Sequence, residues 1–152
     1  MVIISGLFIL YLFLIFISII GFLKTDKSSE IIELNSFITL IIPYRNEECR
    51  IHNLLTSLES QKDISAVSKI IFVDDHSTDL TREKINNWIS KQDVKCESLF
   101  LDEYHGKKRA IDLGVQKSSS EFVMIMDADI SFKDVFFSSI KKSIDLNYDL
   151  YL

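Results

Sequence analysis

Residues 69–79 read KIIFVDDHSTD. Residues 70–73 are apolar without a break, which departs from the alternation of a strand that covers a core on one face only. The run is too short for a helix. It ends in Asp, Ser and Thr, residues that build turns and cap helices. Beyond it, Ile85, Trp88 and Ile89 fall on one face of a helix, with Asp79 placed to cap that helix. A strand buried on both faces and followed by a helix is the repeating unit of a parallel sheet covered by helices. The two acids that end the run, Asp74 and Asp75, are neighbours on a strand, so their side chains point to opposite faces. One can face a crevice above the sheet while the other braces a loop.

The same unit recurs along the chain. Residues 37–42, FITLII, form a strand stopped by Pro43. In residues 47–61, EECRIHNLLTSLESQ, helical spacing of Ile51, Leu54, Leu55 and Leu58 predicts a helix whose first turn holds Glu48. Residues 95–101, KCESLFL, are a third strand, residues 106–118 a helix, residues 121–127, EFVMIMD, a fourth strand, and residues 131–146 a final helix. Trp88 and the phenylalanines belong to the core. The order β-α-β-α-β-α-β-α predicts an α/β fold, an open, mostly parallel sheet with helices on both faces. Residues 147–152, NYDLYL, look like the start of a fifth strand, so this domain, residues 37–152, is expected to be incomplete at its C-terminus.

Ahead of it, residues 2–23 carry no charged side chain. At 1.5 Å per residue a helix of that length reaches roughly 30 Å, the thickness of a bilayer's hydrocarbon core. No basic residue precedes it and no small-residue cleavage pattern follows, so it reads as a retained transmembrane helix and not as a signal peptide. Residues 24–36 form a polar linker. Lys24 and Lys27 within it place the rest of the chain on the cytoplasmic side. Two cysteines offer no disulfide framework. A net charge of -5, with no basic stripe or finger spacing, argues against nucleic acid as a partner.

In open α/β sheets ligands bind beyond the C-terminal ends of the strands. Four polar segments lie there: PYRNEE at 43–48, DDHSTD at 74–79, EYHGKK at 103–108 and DADIS at 127–131. In the last, Asp127 and Asp129 crowd like charges, and a cation such as Mg²⁺ or Mn²⁺ would relieve the repulsion while binding phosphate. The plainer reading is a turn, with Asp129 capping the final helix. A carboxylate at Asp74 or Asp75 could accept from a base N–H or a ribose hydroxyl. Tyr44 or its backbone could frame a planar ring. Gly106 permits close backbone approach, and Lys107, Lys108 and Arg109 suit phosphate. His105 reads as an exposed loop residue, not a metal ligand.

Taken together, ITLIIPYRNEE, IIFVDDHSTDLT and HGKKRAIDLGVQKSSSEFVMIMDADI resemble the N-terminal, nucleotide-sugar-binding half of a family 2 glycosyltransferase with the Rossmann-like GT-A fold. The resemblance covers nearly all of residues 37–152. It implies a nucleotide-diphosphate sugar donor, most commonly UDP-linked, and hexosyl transfer with inversion to a glycan or lipid acceptor. It implies that Pro43, Tyr44 and Glu47 lie at the nucleotide pocket, that Asp75 or Asp74 contacts the base, and that Lys107 sits beside the nucleotide. Asp127 would approach the ribose or metal, and Asp129 would ligate Mg²⁺ or Mn²⁺ on the diphosphate. The family's general base lies downstream, beyond Leu152, so no residue here takes that role. With its membrane helix, the chain is similar to members that build polysaccharide or glycolipid at the bacterial inner membrane, single-pass, with the soluble domain cytoplasmic. An inactive or truncated nucleotide-sugar-binding module is the main alternative. A haloacid dehalogenase phosphatase, whose D-x-D-x-[T/V] motif DADIS approximates, is a weaker one.

Overall fold

A computed structural model describes residues 11–16, 38–102 and 105–145. The elements run β1 (Ile38–Tyr44), α1 (Ile51–Glu59), β2 (Val67–Asp74), α2 (Thr81–Ile89), β3 (Cys96–Phe100), α3 (Lys107–Gln116), β4 (Phe122–Ile125) and α4 (Phe136–Asp145). The strands form one sheet in the order β3-β2-β1-β4, and every pairing is parallel. This is the expected α/β arrangement. The expected membrane helix over residues 2–23 lies outside the described residues, except for 11–16, which are helical and exposed. Among the described residues no helix is long and apolar enough to cross a membrane. The linker 24–36 and the fifth strand over 147–152 also lie outside them.

Alternation along the central strands sorts the core into two layers. Leu40, Ile42, Ile70 and Phe72 face α1, α2 and α4, where Ile51, Leu54, Leu58, Ile85 and Phe137 meet them. Trp88 joins this layer with its ring edge-on to Phe72, centroids 5.8 Å apart. Ile41, Ile71 and Val73 face the other way, against Ala110 and Leu113 of α3. Helix α3 lies so close to the sheet that a Cβ added at Gly114 would stand 2.5 Å from Cγ2 of Ile41.

Three expectations need correction. Strand β1 runs through Pro43 to Tyr44, with Pro43 opposite Val73 of β2. In a parallel strand, successive residues point their N–H and C=O to opposite neighbours. Met126 N–H donates to Ile41 O on the β4 side. The next donor on that side is residue 43, and proline has none. Pro43 therefore ends the ladder to β4, not the strand, and the chain after Ile125 is free to leave the sheet. Second, β4 is not buried on both faces: Phe122, Val123 and Ile125 are exposed, because among the described residues β4 is an edge strand of four residues whose sheet neighbour is β1. Third, α1 and α4 start later than their periodicity suggests.

Helix α1 starts late because residues 45–50 bind the β2–α2 loop instead. Asn46 takes a left-handed conformation, φ 53°. Its N–H donates to Ser77 Oγ (3.1 Å), and its Oδ1 accepts Thr78 N–H (2.8 Å). Glu47 N–H donates to Thr81 Oγ1 and Glu48 N–H to Asp79 Oδ2. Glu48, expected in the first turn of α1, instead accepts Leu80 N–H at the start of α2. Asp79, expected to cap α2, lies one residue before its N-cap, Leu80, and accepts Thr81 N–H at 3.0 Å from there. These side-chain acceptors satisfy donors that a helix start would otherwise leave open.

Candidate functional site

The ends of β1, β2 and β4 and the start of α3 enclose a cleft of about 290 Å³ lined by Pro43, Tyr44, Arg45, Glu47, Asp75, Lys107, Asp127 and Asp129, with Ala128 at its base. That volume is at the lower end for small-molecule sites. Of the candidates named from the sequence, Pro43, Tyr44, Glu47, Asp75, Lys107, Asp127 and Asp129 line it, whereas Asp74, Gly106, Lys108 and Arg109 do not.

Asp74 and Asp75 do diverge, as successive residues leaving a strand must. Asp74 is fully buried and faces α2. Its Oδ1 accepts Ser77 N–H at 2.7 Å, while Oδ2 accepts Arg82 Nε at 2.7 Å and lies 2.6 Å from Arg82 Nη2. It braces the β2–α2 turn and has no access to the cleft, which corrects its candidacy as a base contact. Asp75 faces α3. Its Oδ2 accepts Gly106 N–H at 2.9 Å, and Arg45 Nη1 lies 3.9 Å away. Gly106 holds φ 119°, which a residue without Cβ adopts freely and which aims that N–H at Asp75.

Asp127 and Asp129 each pair with a cation of their own. Lys107 Nζ reaches Asp127 Oδ1 at 2.5 Å. Arg50 Nη1 reaches Asp129 Oδ2 at 3.1 Å, and its Nη2 pairs with Glu47 Oε2 at 2.8 Å. Asp129 lies well before α4, so it is not that helix's cap. The pairs are half exposed and of the screened kind, worth on the order of 1 kcal/mol or less. An incoming cation or phosphate can exchange them at little cost. Tyr44 is 3% exposed. Burial, together with the adjacent Asp74, pushes its hydroxyl up to about 12, and the residue packs in the core layer with Ile42 and Phe72.

Arg50 and the histidine pair had no place in the sequence reading. Arg50 stands three residues after Glu47, a spacing at which opposite charges meet, and that was the available signal. His105 is exposed, as expected, yet its ring stacks on His76 with centroids 3.9 Å apart, and its Nδ1 lies 3.6 Å from Asp75 Oδ1. Nothing local brings residues 76 and 105 together.

The family description "Glycosyl transferase family 2" matches residues 39–152. The chain is 30% identical over 109 residues to a dolichyl-phosphate beta-glucosyltransferase of Dictyostelium discoideum, covering 66% of this chain and 33% of that protein. It is 34% identical over 112 residues to a 4,4'-diaponeurosporenoate glycosyltransferase of Staphylococcus haemolyticus, covering 74% of this chain and 29% of that protein. Thus the chain spans about a third of the length of the curated relatives it matches. Among solved structures, S. aureus TarS residues 1–349 in complex with UDP superimposes with a TM-score of 0.64 at 25% identity, over 72% of this chain and 32% of that one. The mannosyltransferase PcManGT of Pyrobaculum calidifontis, in complex with GDP-Man and Mn²⁺, superimposes with a TM-score of 0.67 at 21% identity, over 91% of this chain and 40% of that one. These likenesses establish the GT-A-like fold and set aside the phosphatase alternative.

Proposed function

Because the chain belongs to glycosyl transferase family 2, we propose that it is the donor-binding part of a glycosyltransferase that uses a nucleotide-diphosphate sugar. In this reading the donor is a UDP-sugar, and the sugar passes with inversion to a glycan or lipid acceptor, assisted by Mg²⁺ or Mn²⁺. Residues 2–23 anchor the chain in a bacterial inner membrane as a single span, with the soluble part cytoplasmic.

The observation that carries the proposal is the cleft itself: three strand ends and one helix start bring carboxylates and Lys107 to one place. Folding does not require that mixture. Pro43 and Tyr44 line the cleft where a base would lie. Asp75, fixed by Gly106 N–H, offers a carboxylate oxygen to base or ribose donors. Asp127 and Asp129 supply hard oxygen ligands of the kind Mg²⁺ and Mn²⁺ take, so the residues fit such an ion. When bound, that ion neutralises charge developing on the departing diphosphate. Lys107 leaves Asp127 for a diphosphate oxygen, and Arg50 keeps Glu47 charge-balanced. TarS, which shares 25% identity, is described with UDP, and two relatives are named for lipid acceptors.

Calorimetry of the full chain with UDP, with and without MnCl₂, tests donor binding. The expected result is Mn²⁺-dependent binding that Asp127→Asn/Asp129→Asn weakens by about tenfold or more, equal to about 1.4 kcal/mol. If neither UDP nor GDP binds in the presence of Mn²⁺, the proposal fails. A second reading is a nucleotide-sugar-binding module without turnover. Binding with no release of UDP from UDP-sugars selects it. Extraction of the full chain by detergent and not by alkaline carbonate checks the anchor.

A further inference from the structure

We propose that Asp75, His76 and His105 bind one divalent transition-metal ion, of which Zn²⁺ is the natural probe, at a site distinct from the Asp127–Asp129 pair. One ligand atom from each of the three lies within 4.8 Å of the others. Asp75 Oδ1 is 3.3 Å from His76 Nδ1 and 3.6 Å from His105 Nδ1. Bonds of about 2.0–2.1 Å to a tetrahedral ion put neighbouring ligand atoms about 3.3–3.4 Å apart, so two of the edges are already near their final length.

The hydrogen bonds around the triad favour a cation at its centre. His76 Nε2 lies 3.4 Å from Asp102 O, while its Nδ1 faces Asp75 Oδ1. Both partners are acceptors, and a neutral imidazole has a single N–H to give. With that proton on Nε2, toward the carbonyl, Nδ1 turns a lone pair toward the carboxylate. A metal ion between them removes the conflict. The outer contacts have the pattern of a metal site, in which a ligating histidine donates its other N–H to a carbonyl and a ligating carboxylate is itself hydrogen-bonded. Asp75 Oδ2 is occupied by Gly106 N–H, so the ion takes Oδ1, the oxygen otherwise open to a nucleotide donor. His76 is held at φ 61°, a conformation L residues adopt at a cost and which clusters at functional positions. Its ring is wedged between Phe100, 4.9 Å away, and His105. Two imidazoles and a carboxylate suit zinc and its neighbours better than magnesium.

Protonation of one histidine would also satisfy the acceptors, and the experiment separates the two. The full chain in detergent, freed of metal with a chelator, is titrated near neutral pH with ZnCl₂ by calorimetry and with CoCl₂ by visible absorption. The same titrations on Asp127→Asn/Asp129→Asn silence the other carboxylates. The expected result in both is one ion bound with the cobalt absorption of a four-coordinate site. His105→Ala and His76→Asn each weaken it by about tenfold or more. Asparagine tolerates the left-handed backbone at 76, so the fold survives the change. Absence of Zn²⁺ binding below millimolar concentrations overturns the proposal, as does binding indifferent to both histidine variants. No nucleotide enters these titrations, so their outcome is independent of the proposed donor binding.

Discussion

Replacing Asp74 by Asn tests whether this acid braces the fold or serves the cleft. The side chain is fully buried. It accepts Ser77 N–H at 2.7 Å and Arg82 Nε at 2.7 Å, with Arg82 Nη2 at 2.6 Å. Asparagine keeps the oxygen that serves Ser77 but turns an NH₂ toward the guanidinium, setting donor against donor. Hydrogen bonds to charged groups contribute about 1.5–3 kcal/mol each, and removing one partner of a buried pair costs about 3–5 kcal/mol. The Arg82 side chain is 44% exposed, so it can turn partly to water, which lowers the cost. Its stacking on the Phe100 ring, 4.5 Å from the centroid, survives the change. The expected loss is about 2–3 kcal/mol. With an m-value of about 1–3 kcal/mol per molar urea, the unfolding midpoint falls by about 0.7–3 M. In a cycle with Arg82→Met, the two losses should fall short of additivity, since both break one pair. An unchanged urea midpoint together with weakened UDP binding would refute the reasoning and return Asp74 to the ligand site.

Gly114→Ala gains about 1 kcal/mol of helix propensity but drives a methyl into Ile41 at 2.5 Å, and overpacking of this kind costs about 1–3 kcal/mol. Net destabilisation by thermal melting is expected, and adding Ile41→Val should recover part of it. Tyr44 has its hydroxyl raised from 10.0 to about 12 by burial and by Asp74, so its folded form holds a proton that the unfolded chain releases. The resulting stability is fully present below pH 10 and is lost as pH climbs toward 12; Tyr44→Phe should flatten that part of the urea midpoint's pH profile. Burial pushes the Cys96 thiol up to about 11, whereas Cys49 is exposed. Ellman's reagent at mildly alkaline pH should therefore titrate Cys49 in the native chain and both thiols only after denaturation.

What was legible in the chain follows from how local each signal is. The apolar run at 70–73 and the run at 38–42, apolar except for Thr39, mark strands covered on both faces, and those residues are the centre of the core. The spacing of Ile51, Leu54, Leu55 and Leu58 marked a helix face, and all four are buried. Periodicity located faces but not ends. Helix α1 begins four residues after Glu47 because Asn46, Glu47 and Glu48 spend their hydrogen bonds on a loop some thirty residues away, which no local window contains. Pro43 interrupts one ladder but does not stop the strand, although its place in the sequence suggests that it would. Which of its two ladders it interrupts depends on the neighbour on that side. The exposure of β4 depends likewise on its place in the strand order, a property of topology and not of the residues 122–125.

The amino-acid order alone determined the α/β class, the alternation of elements and the loops that gather at the strand ends, because side-chain period and turn chemistry act within a few residues. It also determined that Asp74 and Asp75 part company, since consecutive strand residues alternate faces. Only the tertiary structure decided which of the two meets the cleft, that Arg50 and Lys107 each hold one acid of the D-A-D segment, and that His76 and His105 converge on Asp75. Those pairings join residues twenty to eighty positions apart, and they follow from sheet order and helix placement, which are settled by packing over the whole domain.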